Sequence, residues 1–587
     1  MTLKLTRRDI LGDAPLPDSA EVMARGAALA ADVQVGRCAF LDHHGVASEA
    51  DFKRAAAKAG DVTLHAQIGF RDPAKTSRAW REIWEASAER GARVDRYGVC
   101  LDWSMGYPRG NRQKGLRGTG LILNEEEDFA ALTALAPVAP HFGDFVMGFP
   151  AAVENTVAAL RAGSTAIGNL GQYFTFRLPG HDDDVGDTEA TLQAMALCAA
   201  QPVDILIHSN LDDGFAALFT DLACTLGAVL IERHIVEDLV GGVVAHCYGH
   251  TFSEPEKRLA FQAALSRVAP GPGSMVYGDT VSYRGDGPEN FAALATYLSI
   301  DIAGQRRAGT GHAVTPIPIT EASRIPDIDE TVDAIAFAGR LAERLEDAPA
   351  LFDFAAADAV ADQLVAGAET FKARVLSGLE EAGINTSDPI EMLLALRRVG
   401  EKRLEEAFGP GAETPLTRRG RQPILLASTI AALEQAADEA IAAMAKADRA
   451  TITKADLTIC VSASDVHEYG KILLTETLHR LGVACVDAGV HAEPADVATL
   501  AVGADAVAIS TYNGVALDYL RQIKAALGAA GLDIPVLIGG KINQVPDGTN
   551  TSLPVDVSSE LATEGAIVCR SIDDLGPQLA AIARAKA

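Results

Sequence analysis

The sequence predicts an α/β protein with an N-terminal (β/α)8 TIM barrel, a helical connector and a C-terminal flavodoxin-like (Rossmann-like) doubly wound sheet. Three observations carry this. Between residues 34 and 326, short apolar runs ending in Gly, His, Asn or Arg alternate with Ala-rich amphipathic stretches. Strands alternating with helices imply a parallel sheet, and about eight such units fit a barrel better than an open sheet. From 327 to 455, Ala, Glu, Leu and Arg recur at helical spacing. From 456 to 587, five apolar runs alternate with helical ones, the doubly wound pattern. Residues 1–33 read as a leader packed on the barrel.

Composition bounds the function. The chain has 587 residues, 48% hydrophobic and 22% charged, with a formal net charge of -28. Such an acidic surface argues against nucleic acid or an anionic membrane as partner. None of the eight cysteines forms a C-x-x-C pair, so neither a zinc knuckle nor a disulfide framework is indicated. Met1 to Arg8 holds no apolar signal core, and no apolar run approaches the ~20 residues of a membrane span. The expectation is a soluble, cytoplasmic protein acting on a small molecule.

In chain order, the strand runs read from the sequence are Cys38 to Leu41, Val62 to Ile68, Phe145 to Met147, Ser164 to Ile167, Val203 to Ile207 and Val243 to Ala245. Ala151 to Ala162 and Ala216 to Leu226 read as intervening helices. Polar residues at strand C-terminal ends are where barrel enzymes place chemistry. Here these are Arg71, His208, Asn210, His246 and Tyr248, with Arg177 in a Gly-rich segment. The acidic run His181 to Asp184 reads as a solvated loop. The basic run Arg418 to Arg421 reads as a solvated face, or as a partner for phosphate or an acidic surface. In the last domain the strand runs are Leu457 to Val461, Ala484 to Asp487, Ala506 to Ser510, Val536 to Ile538 and Ala566 to Val568.

The unusual residues of the last domain fall at strand ends. Asp465-Val466-His467-Glu468-Tyr469-Gly470 follows the first run, Ser510-Thr511-Tyr512 ends the third, and Gly539-Gly540 ends the fourth. Asp-x-His-x-x-Gly at that place resembles the signature of cobalamin-binding domains. Chance would give it about 0.05–0.1 times in such a chain. The resemblance implies His467 as lower cobalt ligand, and Asp465 as acceptor from its other ring nitrogen, fixing tautomer and basicity. Ser510 to Tyr512 would line the pocket of the displaced base, Gly539-Gly540 would let the nucleotide tail pass close to backbone, and Gly470 completes the cofactor-binding motif. Tyr512 stands where the family has Leu. A loop histidine can also cap a helix; Ser510 and Gly539-Gly540 in register favour the ligand.

The preceding chain resembles the large subunit of glutamate mutase (methylaspartate mutase), fused here to its cobalamin-binding partner. Gly163 to Pro179, Ile317-Pro318-Ile319-Thr320-Glu321-Ala322-Ser323 and Phe408-Gly409-Pro410 carry the likeness. It implies an adenosylcobalamin-dependent radical carbon-skeleton mutase, a homodimer, and a barrel closed over the cofactor. Glu321 and His246 are the candidate catalytic groups, and Arg71, Arg177, His208, Asn210 and Tyr248 the candidate substrate contacts. The family's substrate-binding arginine, glutamate and two tyrosines fall at Val146, Leu170, Phe176 and Gly180, and its adenosyl-side lysine at Thr320. Desolvated charges need pairing, so the expectation is a small organic acid other than glutamate. The alternatives are a corrinoid methyltransferase and a cobalamin-binding sensor or carrier.

Overall fold

The computed structural model describes residues 5–112, 118, 120–178, 180–279, 283, 287–321, 324–347, 350, 352–417, 419–465, 469–490, 492–512, 514–546 and 554–586. The chain divides into two compact units, Met1–Leu178 with Asp182–Ser428, and Thr429–Ala587 with Pro179–His181. Both are α/β, each built on a parallel sheet.

In the first unit, six strands pair in sequence order: β1 (His65–Ile68), β2 (Arg96–Val99), β3 (Ala139–Phe142), β4 (Ala166–Ile167), β5 (Leu206–Asn210) and β6 (Val243–Cys247). A parallel pair, β7 (Met275–Val276) and β8 (Ala313–Val314), stands beside them. Single parallel bridges, Tyr248 to Val276 and Leu64 to Val314, join that pair to the β6 and β1 edges. Side chains alternate across a strand, and the two faces differ sharply. One face is aromatic and covered by helices. Tyr97 meets Trp80 of Pro73–Glu89 at 5.0 Å between ring centroids, and Phe142 meets Phe129 of Glu126–Thr133 at 4.8 Å.

The other face is buried and ionic. Arg96 Nε donates to Glu49 at 2.8 Å, and Arg96 Nη1 lies 3.3 Å from His65 Nδ1. Lys53 donates to the carbonyls of Gly273, Ser274 and Gly311. Burial draws its ammonium down to about 8, against the pull of Glu49. Three saturated donor–acceptor contacts and a carboxylate make this layer a buried polar network.

Some elements differ from the sequence reading. Cys38 to Leu41 is no strand: Ala39–His44 is a helix stopped by Gly45 at φ 62°, the left-handed cap glycine favours. Phe145 to Met147 is a turn after β3. Ala216–Leu218 is a single 3-10 turn, and the helix starts at Leu222 because the Asp221 side chain caps it. The stretch 327–455 is shared. Helices Ile328–Arg344, Phe354–Glu381 and Pro389–Phe408 belong to the first unit, and Lys446–Lys454 to the second, with Ser428–Ala443 straddling the division. Asp183 caps helix Asp184–Ala199, and Asp184 pairs with Arg398 at 2.7 Å. Arg419 is buried against Glu405 at 3.1 Å, and Arg421 donates to the carbonyls of Glu406, Ala407 and Gly411. Both arginines are structural clamps; Arg418 lies outside the described residues.

In the second unit the five-stranded sheet comprises β9 (Thr458–Ala463), β10 (Ala484–Val490), β11 (Ala506–Thr511), β12 (Val536–Gly540) and β15 (Ile567–Cys569). A separate antiparallel pair, β13 (Asn543–Gln544) with β14 (Val555–Asp556), completes the strands among the described residues. The large sheet runs β10-β9-β11-β12-β15, the doubly wound order 2-1-3-4-5. Cys460, Val507, Ile509 and Ile538 pack on helices Pro494–Leu500 and Ala516–Ala529. Ile459, Val461, Ala508 and Leu537 pack on Tyr469–Arg480 and Leu575–Lys586. Because both faces are covered, the inner strands β9, β11 and β12 read as continuous apolar runs, while the edge strand β10 is partly exposed and carries Asp487.

Candidate functional site

The second unit gathers its polar residues at the C-terminal edge of the sheet. Beside β9, β11 runs with Ser510 opposite Ala463, and on its other side with Ser510 opposite Gly539. Asp465 is buried, and its Oδ2 accepts from Tyr512 N at 2.9 Å and Ser464 Oγ at 3.0 Å. The carboxylate is therefore fixed between the first and third strands of the unit, where the strand order reverses and such sheets place ligands. Helix Tyr469–Arg480 begins so close to β11 that a Cβ at Gly470 would lie 2.3 Å from Ser510 Oγ. At Gly540, φ is 99° and a Cβ would meet the Thr511 carbonyl at 2.3 Å. Glycine is required there on both counts. Tyr512 is partly exposed, with Lys541 Nζ 4.2 Å above its ring and 3.1 Å from its hydroxyl. His467 lies outside the described residues.

In the first unit a second cluster lies at the strand C-terminal ends. Asp144 follows β3, Asp212 and Asp213 follow β5, His250 follows β6 and Tyr277 follows β7. Asp212 Oδ2 accepts from the Gly249 and His250 amides at 2.7 and 3.0 Å. The His250 ring stacks on Tyr277 at 3.9 Å and 6°, with Nδ1 3.6 Å from Asp212 Oδ1 and 3.3 Å from Asn210 Nδ2. Gln172 holds the turn after β3, accepting from Phe145 N at 2.9 Å and donating to Asp144 at 3.3 Å. Burial and then Asp213 push the Asp144 carboxyl up to about 7, while His250 pulls it back. Burial works to lower the His250 pKa, but Asp213, Asp212 and Asp144 outweigh it and raise it. Cys100 is pushed up to about 12 by burial, then by Asp144, with Glu321 and Asp213 in range.

The sequence-derived residues divide. Asn210 and Glu321 belong with this cluster: Asn210 by its contact with His250, and Glu321 by its charge acting on Cys100 and Tyr277. Arg71 follows β1 and is partly buried. Four others are elsewhere. His246 pairs in register with Ser209, and both face helix Leu222–Arg233, where Glu232 sits 3.3 Å from His246 and 2.6 Å from Ser209. Tyr248, of the same parity, is packed among Phe252, Phe261 and His312. His208 lies in the buried ionic layer, 2.6 Å from Ser274 Oγ and ring-to-ring with His141. Burial, then the charge of Arg397, draws Arg177 down to about 10. The positions that depart from the mutase pattern are apolar: Val146 and Leu170 are fully buried, and Phe176 joins Phe145 and Phe149 in an aromatic group.

Asp144, Asp212, Asp213, His250 and Tyr277 escaped the sequence reading because they lie one to three residues beyond their strands. Their signal is parity: with Asn210 inward, the register makes His246 point outward and leaves the next loop residues to turn back.

No family model matches the chain, and no curated protein does. Among solved structures, a cobalamin-binding protein from Desulfitobacterium hafniense DCB-2 aligns at 23% identity over 22% of this chain, with TM-score 0.18. The chain spans 58% of that protein's length. UMP synthase of Leishmania donovani aligns at 14% identity over 92% of this chain and 98% of its own, with TM-score 0.30. Likenesses this slight decide neither fold nor function. Among the described residues no helix is long and apolar enough to cross a membrane.

Proposed function

We propose that the second unit binds a cobalamin and that the chain is an adenosylcobalamin-dependent carbon-skeleton mutase acting on a small organic molecule. The observation that carries this is the convergence of Asp465, Gly470, Ser510 and Gly539-Gly540 on one edge of a doubly wound sheet. The residues fit the cofactor. Gly540 is exposed at the sheet edge, where a flat group can lie against backbone, and the buried Asp465 carboxylate precedes His467 by two residues in the chain. In this reading His467 would hold the cobalt, Asp465 would fix its tautomer, and Ser510 with Tyr512 would border the nucleotide tail. Adenosylcobalamin, when bound, would supply radical chemistry; the protein would supply binding, orientation and exclusion of water.

The first unit is read as a closed (β/α)8 barrel holding the substrate. Support comes from the two bridges that link β7 and β8 to β6 and β1, and from Arg96 of β2 reaching Met275 of β7 at 3.5 Å. Clustered polar groups at the strand C-terminal ends are where such a barrel places its site.

The test is the absorption spectrum of adenosylcobalamin with the full chain. Wild type is expected to shift it to the base-off form and His467→Ala to leave it unshifted. Equal spectra for the two proteins would remove His467 from the assignment. For the reaction class, a cobalt(II)-coupled radical signal is expected with a substrate; methyl transfer from methylcobalamin, with the adenosyl form inert, would replace the mutase by a methyltransferase.

A further inference from the structure

We infer that the C-terminal edge of the first unit binds a protonated amine, so that the substrate is an amino compound recognised through its ammonium group rather than a dicarboxylate. The inference rests on reading the first unit as the substrate-holding one. Asp144 from the end of β3 and Asp212 and Asp213 from the end of β5 act on His250, which follows β6, and among the described residues no lysine or arginine is paired with any of the three. The arginine expected to serve a carboxylate, Arg177, instead feels the charges of Arg397, Asp184 and Asp187.

A second observation points to a ligand. Asn210 is 5% exposed, its amide is turned into the cluster by the His250 contact, and its Oδ1 has no hydrogen-bond partner. Asp212, 2% exposed, has His250 Nδ1 at 3.6 Å from its Oδ1, beyond ordinary hydrogen-bond range. Buried acceptors left unmade are costly, and both ask for a donor. Asp213 and Asp144 retain exposure above them, so the donor can enter from solvent. A metal ion is the weaker occupant: among the described residues no three His, Cys, Asp or Glu side chains come close enough together to hold one. An ammonium group, with three donors and no acceptor, matches acceptors spread over several loops. The apolar group of Phe145, Phe149 and Phe176 adjoins the Asp144 turn, which suits a hydrocarbon stem.

The groups facing Asp144 set the pH dependence: Gln172 from its own side, Asp213 from the β5 loop and His250 from the β6 loop. Raising pH through about 7 ionises Asp144. The new negative charge favours a cation, so amine affinity is expected to rise between pH 6 and 8.

The experiment is calorimetric titration of the full chain with putrescine and, separately, glutarate. Wild type is expected to bind putrescine at least ten-fold tighter than Asp213→Asn or Asp144→Asn, with no saturable binding of glutarate. Both positions are partly exposed, and circular dichroism checks that the variants are folded. Saturable glutarate binding without putrescine binding would overturn the inference, as would putrescine affinity unchanged in both variants. His467→Ala separates this from the cofactor reading: putrescine binding retained there, with cobalamin binding absent even in wild type, leaves the amine site standing and removes the cofactor.

Discussion

Asp144 shows how one residue couples packing to function. Its turn places Phe145 at φ 56°, a conformation uncommon outside glycine, and Gln172 bonds both residues of that turn. The carboxyl is thereby kept beside Asp213, which with burial holds its pKa at about 7 against an ordinary 3.8. The folded state then binds this proton more tightly than the unfolded chain. Stability contributed by the proton is present at low pH and is lost as pH rises from about 3.8 to about 7, after which it is level. The expected outcome is an unfolding midpoint for wild type that falls between pH 5 and 7.5 more than that of Asp144→Asn. Denaturant titrations at several pH values measure this, and parallel curves for the two proteins would show the carboxyl to be solvated.

At the scale of elements, Arg258 of helix Pro255–Val268 carries the most consequence. It bonds Asp301 of helix Gly287–Arg307 through two 2.7 Å contacts, and donates to the carbonyls of Gly249 and Tyr277 at 2.7 and 2.6 Å. Those carbonyls flank His250 and belong to Tyr277, so Arg258 is a positioning residue for the stacked pair. Arg258→Met leaves Asp301 buried and unpaired, and the expected loss is about 3–5 kcal/mol. Adding Asp301→Leu should recover most of it; a double variant as unstable as the single one would mean that the carbonyl contacts dominate. Legibility in the sequence also divides by element. The inner strands of the second unit's large sheet were visible because both faces are apolar, and the edge strand β10 because its short run Ala484 to Val486 stands between helices. In the first unit, β2 and β3 carry Arg96 and His141 on the inner face, which interrupts any apolar run, and β4, β7 and β8 are two residues long. Cys38 to Leu41 misled because its apolar residues are too few to show a period, although Gly45 marks a helix end. The cofactor-type edge was legible as Asp465, Gly470, Ser510 and Gly539-Gly540 because those residues are ends of apolar runs. The acidic cluster was not, since only the backbone turns after β3, β5 and β6 bring it together.

The whole molecule joins an acidic surface to two separately cored units. A net charge of -28 raises the local concentration of cationic solutes, which is consistent with an amine as the first unit's ligand and makes its capture sensitive to salt. Each unit also owns its hydrophobic core: the second is complete in the two clusters flanking its sheet. Units with separate cores are expected to melt in separate transitions, and a ligand stabilises only the unit that binds it. At a hundred times its Kd, cobalamin would add about 2.7 kcal/mol to the second unit. For a domain of this size each kcal/mol moves Tm by about 2–4 °C, so the second unit's transition should rise by about 5–10 °C while the first stays in place. Putrescine should do the reverse, moving the first transition alone. Differential scanning calorimetry with each ligand, repeated on His467→Ala, reads both at once. A single transition that cobalamin shifts as a whole would show that the units unfold together, and a first-unit transition that moves with cobalamin while the second does not would place the cofactor in the wrong half of the chain.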